Sequence, residues 1–216
     1  MASFAKLPFI FFVAFSLHTC YKLPNPPPAK EERLDLTENF FPVRYKMKAK
    51  ILFWVVAMVE ALSIIIDALA PYTGNLLYLT PTSIIGAMMI MAGAYIRNEC
   101  FTAMGPMFTV EVSIQKNHKL IKHGPYSVVR HPSYTGQFVA TLGAFMWYFS
   151  QGSYLRETTT MAGRILGVAL LPMFISSFFI LGSRINKEDE ALKEKFGVEW
   201  ENWALDVPYR LIPLIY

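Results

Sequence analysis

Apolar residues fall in five long runs along this chain, separated by segments dense in charge, proline and aromatic rings. The runs cover roughly 2–20, 51–70, 76–96, 134–150 and 161–181. Each approaches the ~20 residues a helix needs to cross a bilayer. The first is the weakest, with Lys6 and Pro8 inside it, and the fourth is short and carries Gly136 and Gly143. After the fifth run the pattern changes. Leu192, Phe196, Trp200 and Trp203 recur at spacings of three and four, which predicts an amphipathic helix lying at an interface, with Gly197 as a point where it can break. The expected fold is therefore all-α, a polytopic membrane helical bundle of about five transmembrane helices plus a cytosolic interfacial C-terminal helix. It divides into two regions. Residues 1–93 form a membrane anchor with three spans and a Pro-rich cytosolic linker, and residues 94–216 form a catalytic region with two spans, a loop and the last helix.

Charge fixes the orientation. Seven Lys and Arg residues lie in 21–50, five in 97–133 and five after 182, while only Lys6, Arg156 and Arg164 lie at the opposite ends of the runs. Positive residues stay on the cytosolic side, so five spans put all three rich segments in the cytosol, with residue 1 across the membrane. The first run then reads as a retained signal anchor. Glu60 and Asp67 lie seven apart inside the second run, on one helix face with Ser63. Ionisable groups at membrane depth face a cavity or a partner, which leaves two readings: a wall of a catalytic cavity, or an interhelical bond.

Composition narrows the class. The chain is 54% hydrophobic and 17% charged, against about 25% charged in soluble domains, which excludes disorder, collagen and a disulfide scaffold. A net charge of +4 does not point to nucleic acid, because the basic residues alternate with apolar runs. Cys20 and Cys100 form neither a CxxC nor a metal-ligand cluster, and no metal is expected.

The chemistry concentrates in two places. From Asn117 to Gly136 the chain reads NHKLIKHGPYSVVRHPSYTG, with a Gly124-Pro125 turn and a helix stop at Arg130-His131-Pro132. Rings, a guanidinium and a backbone-freeing glycine gather where a loop enters the membrane. Such a loop can fold over a cofactor with a flat base and an anion, or touch lipid phosphates. The second place follows the fifth run: Arg184, then Glu188-Asp189-Glu190. A carboxylate here can hold the ammonium of an amino-acid-like cofactor, or form an ordinary i,i+4 pair.

These residues carry a resemblance. The pattern H-x-L-(x)3-G-P-Y-(x)3-R-H-P-S-Y-x-G runs from His118 to Gly136, and R-(x)3-E-[ED]-(x)2-L-(x)3-F-G-x-E-[YW] from Arg184 to Trp200, with Arg97, Gly105 and Phe108-Thr109 upstream. Over about 94–213 the chain resembles the isoprenylcysteine carboxyl methyltransferase family, in the wider class that includes phospholipid methyltransferases. The resemblance implies an enzyme of the endoplasmic reticulum membrane whose active site and C-terminus face the cytosol. It implies S-adenosyl-L-methionine as cofactor without a Rossmann domain, and no G-x-G-x-x-G occurs. The implied partners are membrane lipid and prenylated protein C-termini, methylated on the carboxylate of S-prenylcysteine after CaaX processing. By position, His118, Leu120, Gly124, Pro125, Tyr126, His131, Tyr134, Glu188 and Asp189 match cofactor-binding sites, with Asp189 where a second Glu is usual. Arg130, Arg184 and Glu188 match residues of the reaction itself, the arginines lying near the reacting carboxylate. Two alternatives share parts of the pattern: a phospholipid or other small-lipid methyltransferase, and an NADPH-dependent sterol reductase, which shares R-H-P-x-Y-x-G and the ending V-P-Y-R-L-I-P.

Overall fold

The computed structural model describes residues 4–28, 43–69, 77–109, 113 and 118–216. It is all-helical. Helices α1 (Lys6–Cys20), α2 (Val43–Leu69), α3 (Pro81–Met104), α4 (Pro132–Phe149) and α6 (Met161–Phe196) coincide with the five apolar runs. Two short helices, α5 (Tyr154–Glu157) and α7 (Val198–Asp206), complete the set among the described residues. Of these helices, α2 from Lys46 and α6 are long and apolar enough to cross a membrane. Their outer faces are apolar as well: Ile51, Val55, Met58 and Leu62 on α2, and Ile165, Val168, Ile175 and Phe179 on α6, are exposed. A contiguous surface of that kind fits lipid better than water. The mixed-charge part of the predicted linker, 29–42, and Asn117 lie outside the described residues.

Local chemistry sets the helix ends. Thr80 and Ser83 form a reciprocal capping box ahead of Pro81 at the start of α3. Pro132 opens α4, where its missing N–H costs nothing. Helix α6 does not stop where its composition turns polar. It runs from Met161, past Pro172, through the acidic triplet to Phe196, with no proline between Leu181 and Phe196, and Gly197, at φ +53°, turns the chain into α7.

The tightest contact in the bundle joins α3 to α4. A Cβ on Gly86 would lie 2.7 Å from the Gly143 carbonyl oxygen, one on Gly143 would lie 2.6 Å from that of Gly86, and one on Gly136 would lie 2.8 Å from that of Gly93. Small residues on both helices thus let the backbones touch. Around this seam Val13, Leu17, Phe53, Val56, Ile90, Ala144 and Trp147 form the main core. A second, smaller core of Cys100, Phe101, Phe108, Tyr126, Trp203 and Val207 lies at the other end of α3. It fixes the loop before α4 and helix α7 to one another.

Glu60 takes the second of the two readings open to it. It is 1% exposed and pairs at 2.6 Å with Lys6, itself fully buried. The Lys6 ammonium also donates to the Gly152 carbonyl at 2.6 Å and lies 5.2 Å from the Trp147 ring centre, while Glu60 accepts from the Tyr154 N–H at 3.1 Å. The lysine that weakens the first apolar run is therefore half of an interhelical ion pair, far from the cofactor loop. The Pro-rich stretch also departs from a free linker. Asn25 donates to the Gly105 and Phe108 carbonyls at 2.7 and 2.9 Å, tying it to the turn after α3.

Candidate active site

His131 is the N-cap of α4, and both its ring nitrogens face acids from α6. Nε2 lies 3.0 Å from Asp189 Oδ1, and Nδ1 lies 3.3 Å from Glu188 Oε2. An imidazole flanked this way donates from both nitrogens only when protonated. Burial alone would lower its pKa, but the bonds to Asp189 and Glu188 outweigh burial and raise it from 6.5 to about 9. One turn on, the Tyr134 ring stacks on His131, with centroids 5.7 Å apart and planes 7° apart, and its hydroxyl donates to Glu188. Glu188 is thus oriented by two side chains of α4.

Asp189 shares His131 with that carboxylate through Oδ1 and points its second oxygen at two arginines. Its Oδ2 lies 3.5 Å from Arg130 and 3.4 Å from Arg210, and Arg130 also packs 5.6 Å over the Trp200 ring. The segment after α7 closes the loop from outside. The Arg130 and His131 N–H groups donate to the Tyr209 and Arg210 carbonyls at 2.9 Å each, and Thr135 Oγ1 donates to the Leu211 carbonyl at 2.7 Å. The C-terminal segment is therefore stitched to this loop.

Two cavities adjoin here and share a wall of Phe108, Thr109, Ser133 and Tyr134. The first is lined by the predicted residues His118, Leu120, Tyr126, Arg130, His131, Tyr134 and Glu188. Gly124, Pro125 and Asp189 stand outside its wall. Gly124, at φ +61°, instead makes the turn that presents Tyr126, whose hydroxyl donates to the Met104 sulfur at 2.9 Å. Trp203 also lines this cavity, and the sequence offers it only as one member of an apolar stripe. Two of the lining residues carry buried polar atoms without a hydrogen-bond partner, His118 Nδ1 and Trp203 Nε1. Unpaired buried polar atoms are costly, and polar atoms of this kind beside aromatic and aliphatic walls fit a nucleoside. Burial, with the Lys195 charge behind it, lowers the His118 pKa, so the ring is neutral at pH 7.

The second cavity is cationic. Arg184, 8% exposed, lines it together with Arg97 and Lys46, and Tyr21, Gln137 and Leu181 complete its less charged side. Arg97 is held rigidly, with Nε donating to the Cys20 carbonyl at 2.9 Å and Nη1 to the Ser133 carbonyl and hydroxyl at 3.0 Å. The two arginines matched to the reacting carboxylate are thus separated: Arg184 lines the second cavity and Arg130 the first.

The model of the isoprenylcysteine carboxyl methyltransferase family matches residues 85–194, half of the chain and most of both constellations. The chain belongs to this family. Its relatives include a probable protein-S-isoprenylcysteine O-methyltransferase of Oryza sativa subsp. indica, 29% identical over 127 residues, 58% of each chain. The protein-S-isoprenylcysteine O-methyltransferase of Schizosaccharomyces pombe is 31% identical over 136 residues, 62% of this chain and 50% of its own. That named B in Arabidopsis thaliana is 27% identical over 125 residues, 57% of this chain and 55% of its own. The chain spans about half the length of the curated relatives it matches. The family match covers α4 and α6 to Glu194, with the loop between α3 and α4, so it contains Arg130, His131, Tyr134, Glu188 and Asp189, while Trp200 and Arg210 lie beyond it.

Protonation of His131 sets a pH dependence. A folded pKa of about 9 above an ordinary 6.5 means its stabilising contribution is complete below pH 6.5 and lost as pH rises through about 9. Thermal melting of the purified protein is therefore expected to fall steadily as pH rises from about 6.5 to about 9 and to level off above that. His131→Gln should remove that limb, and a wild-type alkaline limb surviving in His131→Gln would assign it elsewhere.

Proposed function

We propose that the chain is an integral-membrane, S-adenosylmethionine-dependent methyltransferase that esterifies the C-terminal carboxylate of S-prenylcysteine. The observation that carries the proposal is the pair of adjoining cavities. One has neutral, aromatic and acidic walls, and the other is cationic, with Ser133 and Tyr134 between them. In this reading the first cavity binds the cofactor. His118 and Trp203 give their unpaired polar atoms to the base and ribose, and Glu188, held by Tyr134 and His131, takes the ammonium. When bound, S-adenosylmethionine supplies an electrophilic methyl group on a sulfonium.

The acceptor needs no general base, because a terminal carboxylate with a pKa near 3.3–3.7 is already ionised at pH 7. The residues must hold it in line and replace its water, and such positioning is worth ~7–11 kcal/mol. Arg184 has the planar fork that grips a carboxylate with two parallel bonds, and Arg97 is fixed beside it. The prenyl chain enters from lipid, since each buried CH₂ contributes ~0.8 kcal/mol and draws it into the bilayer. The five long helices are read as spans, with the cavities at the cytosolic face of the endoplasmic reticulum membrane, because the basic segments cluster on that side. The cationic second cavity argues against an amine acceptor, and so against a phospholipid N-methyltransferase, since like charges repel in a site of low dielectric.

The test uses membranes carrying the chain, methyl-labelled S-adenosylmethionine and N-acetyl-farnesylcysteine. Label released by alkali as volatile methanol is the expected result. Base-stable label in the lipid fraction would overturn the reading.

A further inference from the structure

A groove opens on the outside of the bundle where the end of α1 meets the first half of α2. Ile51, Val55 and Met58 line it at spacings of four and three, on one face of α2, and all three are exposed. Its other end is polar. Lys50 lies one turn before Trp54, and both line the groove with His18 of α1. The Trp54 Nε1–H donates to His18 Nδ1 at 3.3 Å. An indole only donates, so Nδ1 accepts and the imidazole carries its proton on Nε2, as a further donor. Lys50 and Lys22 both lie close enough for their charges to act on the His18 ring. Among the described residues neither lysine pairs with a carboxylate, whereas Lys6 has Glu60. Bulk acyl chains satisfy the apolar length of such a groove, but its basic end asks for negative charge.

We propose that this groove binds an anionic glycerophospholipid. Lys50 and the His18 Nε2–H meet the phosphate, and Lys22 adds positive charge beside them. One acyl chain lies along Ile51, Val55 and Met58, and Lys50 to Met58 covers about 12 Å of helix. Trp54 stands between head and chain, where amphipathic rings collect at a membrane surface. A choline head brings its own cation to the lysines, so a lipid of net negative charge is selected. The site rests on the reading of α1 and α2 as spans proposed above, and not on the identity of the methyl acceptor. Helix α2 also walls the second cavity through Lys46, so the lipid holds a helix that the acceptor site uses.

The experiment titrates the purified chain in detergent micelles with phosphatidylglycerol or phosphatidylcholine carrying brominated acyl chains, which quench nearby tryptophan. Trp54→Phe identifies the share of the signal that belongs to Trp54 among the four tryptophans. In wild type, brominated phosphatidylglycerol should quench that share at a lipid-to-detergent ratio at least about fivefold lower than phosphatidylcholine needs. Lys50→Gln should reduce this preference roughly fivefold, the effect of one lysine near an anionic head. Lys48→Gln removes the same charge from an exposed residue outside the groove wall and should leave the preference unmoved. Equal quenching by the two lipids in wild type overturns the proposal. Equal losses in Lys48→Gln and Lys50→Gln mark diffuse surface charge and overturn it too. Displacement of the phosphatidylglycerol by N-acetyl-farnesylcysteine would give the groove to the methyl acceptor instead. If Lys50→Gln does not accumulate, the wild-type comparison still decides. A chain that alkaline carbonate strips from membranes refutes the span reading, which is a separate outcome.

Discussion

Arg184→Lys is expected to lower kcat for prenylcysteine methylation about 10²- to 10³-fold, the cost of removing one fixed donor from a developing or transferring charge. Lysine keeps the charge but loses the two parallel bonds, so charge alone should not rescue the rate. Cofactor affinity should stay unchanged, because Arg184 lines only the second cavity. Arg130→Lys should give the reverse pattern. Arg130 lines the first cavity and braces Asp189 and Trp200, so its loss should weaken S-adenosylmethionine binding more than it slows transfer at saturation. Equilibrium binding of labelled cofactor beside initial rates separates the two. Wild-type turnover in Arg184→Lys would remove this arginine from the reaction.

The second large effect is on folding. Gly93→Leu should destabilise the bundle by about 3 kcal/mol or more, at the top of the range for overpacking. An added Cβ there meets the Gly136 carbonyl and Ala140, which are backbone and a rigid methyl group rather than a flexible side chain. Helices α3 and α4 would have to separate, and the loop between them carries His118, Arg130 and His131. Melting in detergent should therefore fall together with cofactor binding. Gly167→Ala is the control, since a Cβ at Gly167 meets nothing within 4 Å and alanine favours helix by up to about 1 kcal/mol. It should be neutral or stabilising. A Gly93→Leu protein that melts like wild type would contradict the α3–α4 seam.

Much of this was legible in sequence, because the signals are local. Five apolar runs gave five helices, and Gly197 marked the break before α7. The loop from His118 to Tyr134 and the acids after Arg184 were visible as two halves of one site. What could not be seen was the side of each residue. Asp189 reads as a second cofactor acid beside Glu188, yet neighbours on a helix point about 100° apart, and Asp189 lines neither cavity, meeting His131, Arg130 and Arg210 instead. The cationic cavity was also hidden. Lys46, Arg97 and Arg184 belong to three helices, and only the packing of α2, α3 and α6 brings them together. Lys46 carried no signal of its own among seven basic residues in one segment. In sequence, α6 reads as a span and a separate cytosolic helix because its composition changes at the expected membrane surface, whereas its backbone hydrogen bonds run on to Gly197 regardless of polarity.

The pair between Lys6 and Glu60 bears on how the first two helices hold together. Lys6 opens α1 and Glu60 lies well inside α2, and both are buried. Each helix carries a charge that the other neutralises, and removing one partner leaves the other charge buried and uncompensated. The first two helices therefore depend on each other, and a change at either residue is expected to loosen both.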